Sequence, residues 1–315
     1  MRDLRIVFMG TPDFAVTTLS ALVSEGYNIV GVITAPDRPA GRGRKMRPSA
    51  VKHYAVEHDL TVLQPTNLKN TEFLNSLKAL EANLQIVVAF RMLPTLVWSM
   101  PKYGTFNLHA SLLPDYRGAA PINWAVINGD TETGATTFFI DDKIDTGEII
   151  LQKKTHIAPE DTAGTLHDRL RNLGADLVLK TVELIQEDQV TTVKQKNDAI
   201  SRPARKIYTE TCEINWKADG SAIHNLVRGL APYPVAWSNF INGKEAGKMK
   251  IYHTEMENEE HNYTIGQLLA TKKELKVAVK NGFIQLLEIQ LSGKRRMKTS
   301  DLLNGYKFEN NARMA

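Results

Sequence analysis

The chain has 315 residues, 43% hydrophobic and 23% charged, which is long enough for two domains and excludes disordered, collagen-like and low-complexity classes. One cysteine, Cys212, excludes an intramolecular disulfide framework and any cysteine-built zinc or iron–sulfur site, and no metal is expected. The net charge of +4 is uneven: from Ala204 on, 17 basic residues face 12 acidic ones, while residues 1 to 203 carry a slight acidic excess interrupted by a basic island from Arg38 to Lys52. Such a layout points to a polyanionic partner met at two places.

In chain order, Leu4 to Met9, Asn28 to Thr34, Ile86 to Phe90, Thr105 to His109 and Ala135 to Ile140 read as strands, several apolar enough to be buried on both faces. Between them Asp13 to Ser24, Ser49 to Glu57, Glu72 to Leu80 and Ala119 to Asn128 have helical spacing or length. A long helix follows Asp161, with Leu166, Leu170, Leu173, Leu177 and Ile185 on one face. Strand alternating with helix predicts an α/β fold: a doubly wound, largely parallel, Rossmann-like sheet. Residues 186 to 208 are polar and read as a connection. Beyond it, short strands at Ala236 to Ile241, Met249 to His253, Lys276 to Val279 and Phe283 to Ile289 are punctuated by Asn242-Gly243 and Asn281-Gly282, a strong hairpin signal. One helix is expected near Ser221 to Arg228, so the second domain is a smaller, mostly-β barrel of the OB type. The expected layout is a catalytic domain at 1–189, a linker at 190–208 and the barrel at 209–315. No run of about 18 apolar residues predicts a membrane span, and the start has no signal-peptide core; a cytoplasmic protein is expected.

The turn Gly10-Thr11-Pro12-Asp13-Phe14 stands where a dinucleotide phosphate loop would be, yet it lacks the glycine pattern, and Pro12 removes a backbone donor. A nucleotide cofactor is not expected there. Asn107 and His109 are two apart on a strand and so share a face near its carboxyl end, where open α/β sheets place ligands. The loop Asp141 to Gly147 after the next strand can return a carboxylate to the same edge. Asn, His and Asp without a paired Ser or Cys nucleophile suit direct group transfer. An amide and an imidazole hold a developing oxyanion, and a carboxylate orients the imidazole.

At these residues the chain resembles the methionyl-tRNA formyltransferase family. The match runs through GTPDF at Gly10 to Phe14, TAPDRPAGRGRK at Thr34 to Lys45, NLHASLLPDYRGAAPI at Asn107 to Ile122, DTG at Asp145 to Gly147, EDT at Glu160 to Thr162, INW at Ile214 to Trp216 and GKRRM at Gly293 to Met297. The resemblance implies a formyltransferase-type sheet and transfer of formyl from 10-formyltetrahydrofolate, as cosubstrate, to the α-amino group of methionine on initiator methionyl-tRNA. It makes Asn107, His109 and Asp145 the catalytic set and lines the folate site with Ser111, Leu112, Leu113 and Pro114. Asp145 is expected to hydrogen-bond His109. The proton lost by the amine leaves to Asp145 or to water. One departure lies after the fourth strand, where Phe90 is followed by Arg91 and the stretch to Pro94 is one residue shorter than in the family.

Glycines around Arg42 make an arm able to set a guanidinium beside phosphates and unpaired bases. The expected tRNA contacts are Arg38, Arg42, Arg44 and Lys45 there, and Lys294, Arg295 and Arg296 in the second domain. A monomer is expected. Two alternatives stand beside this reading: a folate-dependent enzyme formylating a small amine, such as an amino sugar or glycinamide ribonucleotide, and a non-catalytic RNA-binding relative.

Overall fold

A computed structural model describes residues 1–40, 45–196 and 202–315. In chain order the elements are β1 (Ile6–Gly10), α1 (Asp13–Ser24), β2 (Ile29–Ile33), β3 (Arg38–Ala40), β4 (Lys45–Arg47), α2 (Ala50–Glu57), β5 (Val62–Leu63), α3 (Thr71–Ala79), β6 (Leu84–Val88), α4 (Thr95–Trp98), β7 (Thr105–His109), α5 (Pro121–Ile127), β8 (Glu132–Phe139), β9 (Ile149–His156) and α6 (Ala163–Gln186). They continue with α7 (Gly220–Leu230), β10 (Ala236–Asn242), β11 (Glu245–Asn258), β12 (Leu268–Ala270), β13 (Leu275–Val279), β14 (Gly282–Leu291), β15 (Met297–Lys298), α8 (Thr299–Leu303) and β16 (Arg313–Met314). Two compact units result: residues 1–118, 133–155 and 167–203 form the first, and residues 119–132, 156–166 and 204–315 the second.

The first unit is built on a sheet of order β5-β2-β1-β6-β7-β8-β9. Pairs from β5 to β7 are parallel, as the buried apolar runs predict, whereas β8 runs antiparallel to β7. The strand order reverses direction between β1 and β6, the switch point where such sheets open a crevice at their carboxyl ends. Both faces are covered. Val7, Met9, Ile33 and Val87 pack with Phe73 and Leu77 of α3 and Val97 of α4. On the other face α6 lies against β7 and β8: a Cβ on Gly174 would fall 2.7 Å from Leu108 Cδ2, and the Thr137 and Thr181 hydroxyls hydrogen-bond at 2.8 Å. Asn107 and His109 alternate with Leu108 and so project from the face opposite α6.

Gly10 is required by close packing, since a Cβ there would meet Ala15 Cβ at 2.6 Å. Pro12 caps α1 without a side-chain bond, and its carbonyl accepts the Ala15 N–H. The turn is thus helix-entry structure, in keeping with the missing phosphate-loop pattern. β3 and β4 form a hairpin off the main sheet, with Arg38 opposite Arg47.

The second unit is an antiparallel sheet of order β12-β13-β14-β11-β10-β16, with β15 against β14. The Gln267–Arg313 bridge joins its two ends, so the sheet closes into a barrel and leaves no long free edge. Asn281 and Gly282 take positive φ at the β13–β14 turn and Gly243 at the β10–β11 turn, as Asn-Gly predicts. Trp216 of the INW motif is buried and donates its indole N–H to Ser238 Oγ at 2.8 Å. The EDT motif is also structural. Asp161 Oδ2 accepts the Ala158 N–H and its Oδ1 the Thr165 hydroxyl, while Arg228 of α7 donates to the Asp161 carbonyl at 2.6 Å. Among the described residues no helix is long and apolar enough to cross a membrane.

His224 of α7 bonds the Thr254 hydroxyl at 2.9 Å, and burial, then the nearby Arg228 and His253, lower its pKa to about 4. Between that value and about 6.5 the unfolded chain binds a proton at this position that the folded protein does not. The contribution of His224 to stability is therefore fully present above pH 6.5 and lost as pH falls toward 4. Urea unfolding at pH 7 and pH 5 is expected to show a smaller drop in midpoint for His224→Gln than for the wild type.

Candidate active site

His109 ends β7 and is buried, 6% exposed. Its Nε2 lies 2.8 Å from the Tyr116 carbonyl, which can only accept, so Nε2 carries a proton. Nδ1 faces Asp145 Oδ2 at 3.8 Å, close enough for an ion pair. That distance is too long for the hydrogen bond expected between them. The carboxylate instead accepts the Gly118 N–H through Oδ2 at 2.9 Å. Among the described residues Oδ1 has no hydrogen-bond donor. The ring is thus fixed by the Tyr116 carbonyl at Nε2 and turns Nδ1 toward the Asp145 carboxylate.

Because β8 is antiparallel, its end lies beside the start of β7, with Phe139 opposite Phe106. The loop after β8 must therefore turn back along β7 to bring Asp145 to His109. Three features shape this return. Asp141 accepts the Lys143 N–H at 3.0 Å and the Thr146 hydroxyl at 2.7 Å. Asp145 adopts φ 56°, the left-handed region that non-glycine residues enter at a cost of roughly 1 kcal/mol or more. At Gly147 any Cβ would fall 1.6 Å from the Phe139 carbonyl oxygen, so only glycine fits the last position of the DTG motif.

Asn107 sits opposite Val87 and Phe138 on its neighbouring strands and is half-buried. Its carboxamide has no hydrogen-bond partner among the described residues, and it is the free donor of the trio.

The segment after β7 is tightly held. The Ser111 hydroxyl, fully buried, donates to the Asp115 carbonyl at 2.6 Å, and Thr136 Oγ1 bonds the Ser111 carbonyl at 2.6 Å and the Leu113 N–H at 3.2 Å. Gln152 donates to the Leu113 carbonyl at 2.9 Å. Ser111 and Leu113 thus shape the loop from within, and Leu112 and Pro114 keep partly exposed surfaces. Arg91 is anchored by the Pro65 and Thr66 carbonyls, and burial, then the charge of Arg38, lowers its pKa.

Of the basic residues singled out in the sequence, Arg38 is exposed on the β3–β4 hairpin; Lys45 lies on β4, and Arg42 and Arg44 fall outside the described residues. Lys294 and Arg295 are exposed before β15. Lys294 Nζ stands 5.8 Å from the Tyr306 ring. Arg296 pairs with Glu288 at 2.5 Å and stacks 4.2 Å from the Tyr252 ring, so its charge is largely matched within the barrel.

Two family models match the chain, formyl transferase over residues 4–182 and the formyl transferase C-terminal domain over residues 206–307. The methionyl-tRNA formyltransferase of Flavobacterium johnsoniae is 56% identical over 314 residues, covering 100% of both chains. The chain belongs to the methionyl-tRNA formyltransferase family. The Bacteroides thetaiotaomicron member is 53% identical over 317 residues, covering 99% of this chain and 98% of its own. The family fold extends to the N-formyltransferase of Helicobacter canadensis, solved with folinic acid and dTDP-3-aminofucose. It is 22% identical with a TM-score of 0.66, covering 93% of this chain and 100% of that one.

One contribution lay hidden in the polar stretch after α6. There the Gln195 side chain donates to the Asp145 carbonyl, the Arg202 carbonyl accepts the Tyr116 N–H, and Val193 pairs with Ile149 of β9. Nothing in their composition marks them, because their partners lie tens of residues away in sequence.

Gly147→Ala is expected to leave the barrel unit intact but to push the Asp145 loop off Phe139. Turnover should fall at least 10-fold in a steady-state assay, because a displacement near 1 Å at a reacting group can cost about 100-fold.

Proposed function

We propose that this protein transfers the formyl group of 10-formyltetrahydrofolate to the α-amino group of methionyl initiator tRNA. The observation that carries the reading is the presence, at the carboxyl end of one sheet, of a buried His109 facing Asp145 and, on the same strand face, an Asn107 amide that has no hydrogen-bond partner among the described residues. Full-length relatives named methionyl-tRNA formyltransferase support it, as does a structural neighbour solved with folinic acid.

As the methionine nitrogen attacks the formyl carbon, a C–N bond forms and negative charge grows on the formyl oxygen. The Asn107 N–H donates to that oxygen, a kind of contact worth about 3 kcal/mol in oxyanion holes. His109, held by the Tyr116 carbonyl on one side and facing Asp145 on the other, keeps its ring in a fixed orientation beside the reacting groups. The intermediate collapses by breaking the bond to the folate nitrogen. The amine's proton leaves to Asp145 Oδ1, which has no donor among the described residues, directly or through water, and the folate nitrogen takes up a proton. Leu112 and Pro114 offer apolar surface to the folate.

Arg38, Lys45, Lys294 and Arg295, with Arg42 and Arg44, supply phosphate contacts, and Arg296, paired with Glu288, stiffens the barrel segment that carries Lys294 and Arg295. The enzyme works as a cytoplasmic monomer, where charged initiator tRNA is made and used.

Purified protein given 10-formyltetrahydrofolate and charged initiator tRNA is expected to form formylmethionyl-tRNA. His109→Ala and Asp145→Ala should each abolish formation with unchanged thermal melts; activity on an amino sugar and none on the tRNA would replace this reading with the small-amine alternative. Arg295→Ala should weaken tRNA binding and reduce the slope of log affinity against log salt by about 1, read by filter binding between 50 and 200 mM salt.

A further inference from the structure

We propose that Gln195, which lies outside both the Asn–His–Asp trio and the folate segment, is the positioning residue for Asp145. The inference rests on the formyl-transfer reading above. Val193 pairs with Ile149 at the start of β9 through two backbone bonds of 2.9 Å, N–H to carbonyl in each direction. In that antiparallel bridge, two residues further along the chain lies opposite two residues back, so Gln195 falls beside Gly147.

The carboxamide is fully used. Nε2 donates to the carbonyls of Asp145 at 3.0 Å and Gly147 at 2.8 Å, and Oε1 accepts from Arg117 Nε at 3.1 Å and Nη2 at 2.7 Å. Only one orientation of the amide satisfies all four contacts, because a flipped amide would set its oxygen against two carbonyls and its N–H groups against a guanidinium.

The contacts close a circuit. Arg117 is followed by Gly118, whose N–H holds Asp145 Oδ2, and Gln195 holds the Asp145 main chain. Asp145 is thereby fixed at both its backbone and its carboxylate, in a left-handed conformation that its own loop does not favour. Gln195 touches no reacting atom in the proposed reaction and acts through Asp145. Its loss should slow the chemical step while leaving substrate affinity in place, since no folate or tRNA contact is assigned to it.

The test compares full-length wild type with Gln195→Ala, Arg117→Ala and the double variant, varying each substrate in turn. Gln195→Met, which keeps the volume and removes every hydrogen bond, takes the place of Gln195→Ala if the latter melts more than about 4 °C early. The expected result is a fall in kcat of about 10- to 100-fold with both KM values within threefold. The double variant should be no slower than the slower single one, and amide exchange at Gly118 should be faster in every variant. Unchanged kcat, a loss carried by KM, or multiplied effects in the double variant overturns the proposal. If wild type forms no formylmethionyl-tRNA, it is the functional reading that fails; the Gly118 exchange rate then decides the circuit alone, and an unchanged rate in Gln195→Ala overturns it.

Discussion

The reversal of β8 against β7 governs the rest of the site. Were β8 parallel, its carboxyl end would open beside His109 and a short loop could deliver the carboxylate. Running antiparallel, it ends beside Phe106, and the connection to β9 has to bring Asp145 back toward the other end of β7. A return of this kind has no ladder of backbone bonds to hold it. It is held instead by the Asp141 turn, by the Gly147 approach to the Phe139 carbonyl, and by bonds from Gly118 and Gln195. The left-handed backbone at Asp145 is the strain left in the loop, and it persists because its surroundings over-determine it.

The site also divides its work between buried and accessible groups. His109 is nearly sealed, with the Tyr116 carbonyl on one side and the Asp145 carboxylate on the other, so it has little freedom to reorient. Asn107 is half-buried and has no hydrogen-bond partner among the described residues, so it can donate without breaking a bond to them. Other polar residues of this unit are committed to the backbone: Ser111 to the Asp115 carbonyl, Thr136 and Gln152 to the Leu113 segment, and Arg91 to the Pro65 and Thr66 carbonyls.

Charge is sorted in the same way. Arg228 is buried and spent on holding the Asp161 turn, and Arg296 on Glu288 and Tyr252, so neither is a free cation despite its place in a basic half of the chain. Arg38, Lys294 and Arg295 remain exposed. Counting lysines and arginines by region indicates a polyanionic partner; which of them remain available to it depends on neighbours that are distant in sequence.

Much of the fold was legible in the chain. Buried apolar runs at Ile6–Gly10 and Leu84–Val88, the helix spacing of Ala163–Gln186 and the Asn-Gly turns of the barrel are local signals, set by period and by backbone preference. β9 carries no clear strand signal in the sequence because Gln152, Lys153 and Lys154 give it a polar, partly exposed pattern, and β5, β12, β15 and β16 are too short to show any period. Asn107 and His109 could be placed together from their spacing on one strand alone. What the sequence by itself determined is therefore the alternation of elements, the shared face of that pair and the regional charge. Only the tertiary structure decided the direction of β8, the 3.8 Å gap between His109 and Asp145 where a hydrogen bond was expected, and the use of Gln195 to hold the returning loop. The reason is physical: these are contacts between backbone groups and side chains tens of residues apart, and no local propensity encodes which distant carbonyl an amide will meet.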